Sequence, residues 1–205
     1  MNPAFFASFI ALILVIMISI RKQTKQAKQK EEDFWSREHR ANFVRRKPLD
    51  HLNYVKIPLE SFPTHLLNDD PRVLECIDVL EALTSRKIVN FTGYSNTDLK
   101  LEYGTANIEA LTEYDQNYTL LVRTLQKWAD ILLEAGCDEA AATLMEFAVS
   151  IETDVSRTYY LLADYLVSHG QAAQVDRLVR TAENLRSANR DSILKKLREK
   201  YPDVF

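Results

Sequence analysis

The chain opens on an unbroken apolar run. From Ala4 to Ile20 it reads AFFASFIALILVIMISI, seventeen residues without a charge, interrupted only by Ser8 and Ser19, whose hydroxyls can bond back to helix carbonyls. At ~1.5 Å per residue such a helix spans ~25 Å, the short end of what a bilayer core requires. Residues 21–40, RKQTKQAKQKEEDFWSREHR, contain no Gly or Pro and many strong helix formers, so the helix is predicted to continue as a polar stalk with too few apolar positions for a coiled-coil seam. Phe34, Trp35, Phe43 and Val44 restore an apolar face, expected to pack against the folded part of the chain. Pro48, Pro58, Pro63 and Pro71 each disfavour helix at the preceding residue. Residues 48–70 therefore read as an extended wrapping segment, with Leu49, Leu52, Val55, Ile57, Leu59 and Phe62 laid along a helical core and room for one short strand.

Helical periodicity returns at Asp70, whose carboxylate can accept from orphan amides while Pro71 occupies a first-turn position that needs no donor. Val73, Ile77, Leu80 and Thr84, flanked by Leu74 and Leu83, form one apolar stripe that ends near Ser85. Beyond Gly93, Ser95 or Asn96 is expected to cap a short helix ending at Gly104. Residues 106–114 read as another, and Asp115 and Asn117 as caps of a long helix ending at Ala135. At the far end, residues 189–200 form an amphipathic pattern with Ile193 and Leu197 on one side, suited to a terminal solvating helix.

Between these lies an internal repeat. Aligning residues 122–155 with 156–189 gives eight identities: Arg123, Thr124, Ala129, Asp130, Leu132, Gly136, Leu144 and Ala148 recur 34 positions later as Arg157, Thr158, Ala163, Asp164, Leu166, Gly170, Leu178 and Ala182. A 34-residue period with this pattern resembles the tetratricopeptide repeat family. Leu125, Trp128, Ala129 and Leu132 stand where that family has large, large, small and large residues on its first helix. Gly136 stands at the turn, and Ala141, Met145 and Ala148 at small, large and small positions of the second helix. Tyr159, Leu162, Ala163, Leu166, Gly170, Val175, Val179 and Ala182 fill the same places in the second unit. Small residues at facing positions let antiparallel helices approach closely. The pattern departs from the family at the Leu that precedes each turn in place of Tyr, at Val175 in place of a small residue, and at Thr153 and Ser187 in place of Pro. No match extends back past residue 122, so residues 71–121 read as a divergent hairpin covering one end of the array and residues 190–205 as the cap of the other.

Charge places these elements. Residues 1–47 hold ten Lys and Arg against four acids, a balance of +6 within an overall −3, which leaves −9 on the remainder. An acidic domain argues against nucleic-acid binding, because a phosphate backbone needs a positive surface to replace its counterions. Arg21, Lys22, Lys25, Lys28 and Lys30 directly follow the apolar run, and the absence of a positive region before it or a small-residue cleavage site after it argues for an uncleaved anchor. The positive-inside rule then places the N-terminus outside and the domain in the cytoplasm, with those basic residues able to rest on anionic lipid. The expected fold is mostly α: an N-terminal transmembrane helix (1–20), a basic helical stalk (21–47) and a small helical-hairpin domain (48–205) with its extended wrapping segment.

Candidate chemistry is sparse. Cys76 and Cys137 lack a second cysteine at metal-ligand spacing and read as reduced thiols, and His39, His51, His65 and His169 never stand at i, i+4, so no metal or other cofactor is expected. His169, just before Gly170, suits a helix C-cap. The two N-x-T triplets at Asn90 and Asn117 occur at a density near chance. The resemblance implies a concave groove lined by Arg123, Gln126, Asp130, Arg157, Tyr160 and Asp164, fitted to an extended or helical peptide. The Lys and Asn set with which family members clamp a C-terminal carboxylate is missing. The functional expectation is a membrane-tethered, noncatalytic module that recruits a cytoplasmic protein or peptide through that groove, although alternating Arg and Asp also serve as solvated ion pairs. The alternative is a small-ligand or enzymatic site in residues 90–107, where Asn96, Asp98, Lys100 and Tyr103 lie among two glycines, or a structural role in a larger membrane complex; helix capping accounts for the same residues.

Overall fold

A computed structural model describes the backbone of residues 3–202 and the side chains of residues 16–202. Among the described residues the protein is all-helical, without a strand. It forms two compact units: residues 1–47 together with 96–107, and residues 48–95 together with 108–205. Residues 96–107, which sequence reading grouped with the divergent helices of 71–121, belong to the first unit.

In the first unit helix α1 runs from Pro3 to Asn42. Among the described residues no helix is long and apolar enough to cross a membrane. This corrects the single-pass fold class and, with it, the localisation that set the N-terminus outside and the domain in the cytoplasm. The physical reason lies in the described surface of α1. Within the described side chains, which begin at Ile16, the apolar residues reach only to Ile20 before Arg21, Lys22, Lys25, Lys28 and Lys30 follow on an exposed helix, fewer than the ~20 apolar residues a span requires. The side chains of residues 4–15 of the expected anchor lie outside the described residues. At its C-terminal end α1 packs on α3 (Asn96–Tyr103). Gly104 follows with φ +90°, and a Cβ there would collide with the carbonyl of Arg45. Asn107 locks the return of the chain: its Nδ2 donates to the carbonyls of Lys47 (2.8 Å) and Tyr103 (2.8 Å), and its Oδ1 accepts from Arg46 Nε (3.0 Å).

The second unit begins with the wrapping segment. Residues 48–70 are irregular apart from a short turn at Leu59–Ser61, and the possible strand is absent because the segment makes an isolated backbone bond, Val55 N–H to Ile88 O (2.9 Å), rather than a ladder. Phe62 is buried, edge-on to Trp128 (6.2 Å) and to Phe147 (5.3 Å). Helix α2 (Pro71–Thr84) starts as expected, with the Asp70 carboxylate accepting from Arg72 N–H at 2.8 Å. It runs antiparallel along α4 (Ile108–Glu134), because Arg72 bonds Glu134 (3.0 Å) while Glu75 bonds Lys127 (2.6 Å). Helix α4 is longer than its sequence suggests. Asp115 and Asn117 lie inside it rather than capping it, and both hold the passing segment instead: Asp115 accepts from Phe91 N–H (3.2 Å), and Asn117 Nδ2 donates to Lys87 O (3.0 Å).

Helices α5 (Asp138–Ser150), α6 (Ser156–Ser168), α7 (Val175–Glu183) and α8 (Arg190–Lys200) complete the unit, each packed on its sequence neighbour. Helices α6 and α8 begin 34 residues apart, and α8 packs on both α6 and α7. Ala129, Ala148, Ala163 and Ala182 are all within 2 % of complete burial, and small residues at such positions let packed helices approach closely. The loop between α5 and α6 is held from both sides, by Tyr118 Oη to Ile151 O (3.1 Å) and Tyr159 Oη to Thr153 O (2.9 Å). Burial pushes both phenols above their ordinary pKa, so they remain donors.

Three helices end in the same closure. At the ends of α4, α5 and α6 the amide two residues past the C-cap returns to a carbonyl inside the helix: Cys137 to Leu132 (2.8 Å), Thr153 to Ala148 (3.1 Å) and Gln171 to Leu166 (2.7 Å). The intervening left-handed residue is Gly136 (φ +74°) and Gly170 (φ +73°) in two cases but Glu152 (φ +60°) in the third. A side chain in that conformation crowds its own carbonyl. Replacing Glu152 by Gly is therefore expected to stabilise the protein by about 0.5–1 kcal/mol, the relief being partly offset by the freer unfolded chain. Gly136→Ala, where no atom lies within 4 Å of an added Cβ, should cost about 1 kcal/mol through backbone strain alone. Denaturant midpoints measure both; shifts of the same sign in the two variants would contradict the account.

Candidate functional site

The groove residues fall on neighbouring helices, Arg123, Gln126 and Asp130 on α4 and Arg157, Tyr160 and Asp164 on α6. Side chains bridge the two. Arg157 Nε donates to Asp130 Oδ1 (2.9 Å), Gln126 Nε2 donates to the same oxygen (2.9 Å), and Thr158 Oγ1 donates to Gln126 Oε1 (2.6 Å). Arg123 is exposed beside this network. The other two residues face α8. Tyr160 Oη approaches Ser192 O (3.4 Å) with Lys196 Nζ 4.0 Å above its ring, while Asp164 accepts from Tyr201 Oη and pairs with Lys200 (2.5 Å). The structure thus joins Gln126, Asp130 and Arg157 in one polar network, leaves Arg123 exposed one turn earlier on α4, and uses Tyr160 and Asp164 to seat helix α8. The exposed Arg157–Asp130 pair contributes little stability, because water screens it.

Asn96, Asp98, Lys100 and Tyr103 share helix α3, and Asp98 and Lys100 help dock it on α1. Asp98 pairs with Arg37, and Lys100 donates to Glu38 and to Asn42 Oδ1 (3.0 Å). Tyr103 is buried, and Asn96 is the exposed first residue of the helix. Glu38 also accepts from Thr97 Oγ1 (2.5 Å). Asp98 and Lys100, an acid and base in sequence, are thus each held by a partner of opposite charge. Elsewhere, His169 caps α6 as its position suggests, with Nδ1 2.9 Å from Tyr165 O and its ring on Tyr165. Cys76 and Cys137 are free thiols, and burial raises the pKa of Cys76. Neither N-x-T asparagine presents a free amide: Asn117 is buried, and Asn90 Nδ2 donates to Tyr118 Oη (3.0 Å), Ile151 O (3.3 Å) and Glu152 O (3.2 Å).

One cleft has no counterpart in the sequence reading. In the second unit the wrapping segment at Asn53–Lys56, Asn90, and the end of α5 at Ser150–Glu152 enclose about 470 Å³. A recess of about 200 Å³ shares Asn53, Asn90 and Glu152 and continues to Tyr94 and Arg186. Its residues come from four separated stretches of chain, so no local motif marks it. The available signal was faint: the turn after the first repeat holds Glu152 where the two earlier-noted turns hold Gly136 and Gly170.

These features define an all-helical protein whose second unit is built on antiparallel helix pairs, with a polar strip across two of them and a polar cleft at the ends of others. No protein-family model matches the chain, nor does any curated protein or solved structure.

The α1–α3 contact makes a pH prediction. The hydrogen bonds from Lys100 and Thr97 hold the Glu38 carboxyl below the usual carboxylate range. A pKa lowered by folding stabilises at pH above the unfolded value, and the contribution disappears as pH falls through the folded value. Hydrogen-exchange protection of residues 99–103 should therefore drop on acidification below the usual carboxylate range. Glu38→Gln should lower it at neutral pH and flatten the acid dependence, whereas an unaltered profile would show that this carboxylate does not hold α3.

Proposed function

We propose that the protein is a noncatalytic interaction module that binds a peptide segment of a partner protein along the strip formed by α4 and α6, and that its paired helices are tetratricopeptide-like repeats. The observation that carries this reading is the bridging of two successive repeat units by groove side chains, Arg157 to Asp130 (2.9 Å) and Thr158 to Gln126 (2.6 Å). Such bridges make one continuous surface from residues 27–32 positions apart. Continuity across repeats is what an extended or helical ligand needs. The strip offers fixed charges, an amide and a hydroxyl, groups suited to reading a peptide backbone and its polar side chains. Helix α8, seated on Tyr160 and Asp164, bounds the strip on one side.

A photo-crosslinking residue at Arg123 or Gln126 should capture a partner that the same residue at Thr143, exposed on α5, does not. In the native side-chain background, Arg123→Glu combined with Arg157→Glu should weaken binding of that partner about tenfold or more with a change in stability within about 0.5 kcal/mol, as expected for exposed charges. Tyr160 and Asp164 are left intact so that the seating of α8 does not confuse the result. Equal capture at Thr143, or full binding by the folded double variant, would overturn the groove as the site.

A further inference from the structure

The polar cleft of the second unit has its own charge pattern. Lys56 lines only the larger chamber, Arg186 only the recess, and Glu152 lines both. The lining thus runs from a basic residue in the chamber through the shared Glu152 to a second basic residue in the recess. Among the described residues none of the three has an ion-pair partner within 4.0 Å, whereas other charges of the unit, such as Arg177 with Glu146 and Arg198 with Glu183, are paired.

The backbone carrying each charge is fixed. Glu152 is the left-handed residue of the α5 closure, and its carbonyl accepts from Asn90 Nδ2 (3.2 Å). Arg186 occupies the same position one repeat later. Its guanidinium lies 4.6 Å over the Tyr94 ring, and its Cβ is so close to Gly93 that an added Cβ there would come within 2.6 Å. Lys56 follows Val55, whose amide donates to Ile88 O (2.9 Å). At Asn90, the amide nitrogen and oxygen are both engaged, with Oδ1 accepting from Thr92 N–H (2.9 Å). The backbone of the floor is therefore held in place while Lys56, Glu152 and Arg186 are exposed, so the ordering on ligand entry falls on their side chains.

We infer that this cleft binds a small acidic amino acid, with its ammonium on Glu152 and its two carboxylates directed to Lys56 and Arg186. The ligand complementary to that lining is one that carries a cation between two anions, and the ammonium of a dicarboxylic α-amino acid stands between its carboxylates. Stacking on Tyr94 leaves the guanidinium edge free to meet a carboxylate. The chamber is within the size range of small-molecule sites, and its polar lining suits a charged ligand. The site lies apart from the α4–α6 strip and does not rest on the peptide-binding reading.

Titration of the full chain with glutamate, followed by calorimetry and by backbone amide shifts, tests the assignment. Shifts are expected to cluster at residues 53–56, 150–153 and 184–187. Glutamine, lacking one carboxylate, and N-acetylglutamate, lacking the ammonium, should each bind about tenfold more weakly or worse, the loss expected of one charged hydrogen bond. Aspartate and a glutamate-containing dipeptide distinguish a free amino acid from a peptide source, and tighter binding of the dipeptide would overturn the free amino acid. Glu152→Gly retains the α5 closure and should lose affinity for glutamate about tenfold while binding N-acetylglutamate no worse, with Thr143→Ala on α5 as a neutral control. The assignment is overturned if glutamate at about 10 mM shifts no amides around the cleft, if glutamine binds equally well, or if Glu152→Gly binds glutamate as the native protein does.

Discussion

The close approach of antiparallel helices at alanine is the constraint on which the second unit depends. Ala129, Ala148, Ala163 and Ala182 are buried almost completely. A larger residue at any of them would separate two helices and, through the shared register, displace the next pair. Because each pair buries its apolar face on its neighbours rather than on itself, the contact also dictates what surrounds the array. Helix α8 supplies Ile193 and Leu197 to one end, while α2 and the buried Phe62 serve α4.

The same register organises the polar surface. A repeat of 34 residues places corresponding side chains on adjacent helices or adjacent loops, so a single pattern yields both the α4–α6 strip and the pairing of inter-repeat turns. Ser187 Oγ donates to Asp154 Oδ2 (2.7 Å), and Glu152 and Arg186 stand at matching positions beside the cleft. Variation within the repeat then sets chemistry: Gly136 and Gly170 serve only the backbone, whereas Glu152 occupies an equivalent conformation and adds a charge.

The repeat helices were legible because they rest on local periodicity and local caps. Pro71 after Asp70, the glycines at positions 136 and 170, His169 at the end of α6, and the Ile193–Leu197 stripe each act over a few residues. Asp115 and Asn117 misled for the opposite reason. Their side chains have the chemistry of caps, but they bond to segment 87–91, more than twenty residues away, and the helix passes through them. Likewise Asp98 and Lys100, candidates for a ligand or enzymatic site in the sequence, are each paired with a residue about sixty positions earlier, Arg37 and Glu38. The apolar run at the start of the chain suggested a membrane span, yet the described part of α1 soon becomes a charged, exposed helix. Of the groove, the sequence indicated which residues share a helix face. It gave no means of knowing that α8 takes up Tyr160 and Asp164.

The sequence by itself determined the helical class, the 34-residue register and the small residues that permit close packing, because each is written in side-chain size and spacing along one stretch of chain. Tertiary structure alone decided which polar residues remain available and which hold the fold together. It also created the cleft, because Lys56, Asn90, Glu152 and Arg186 come from four distant stretches whose meeting depends on the wrapping segment crossing the ends of the repeats.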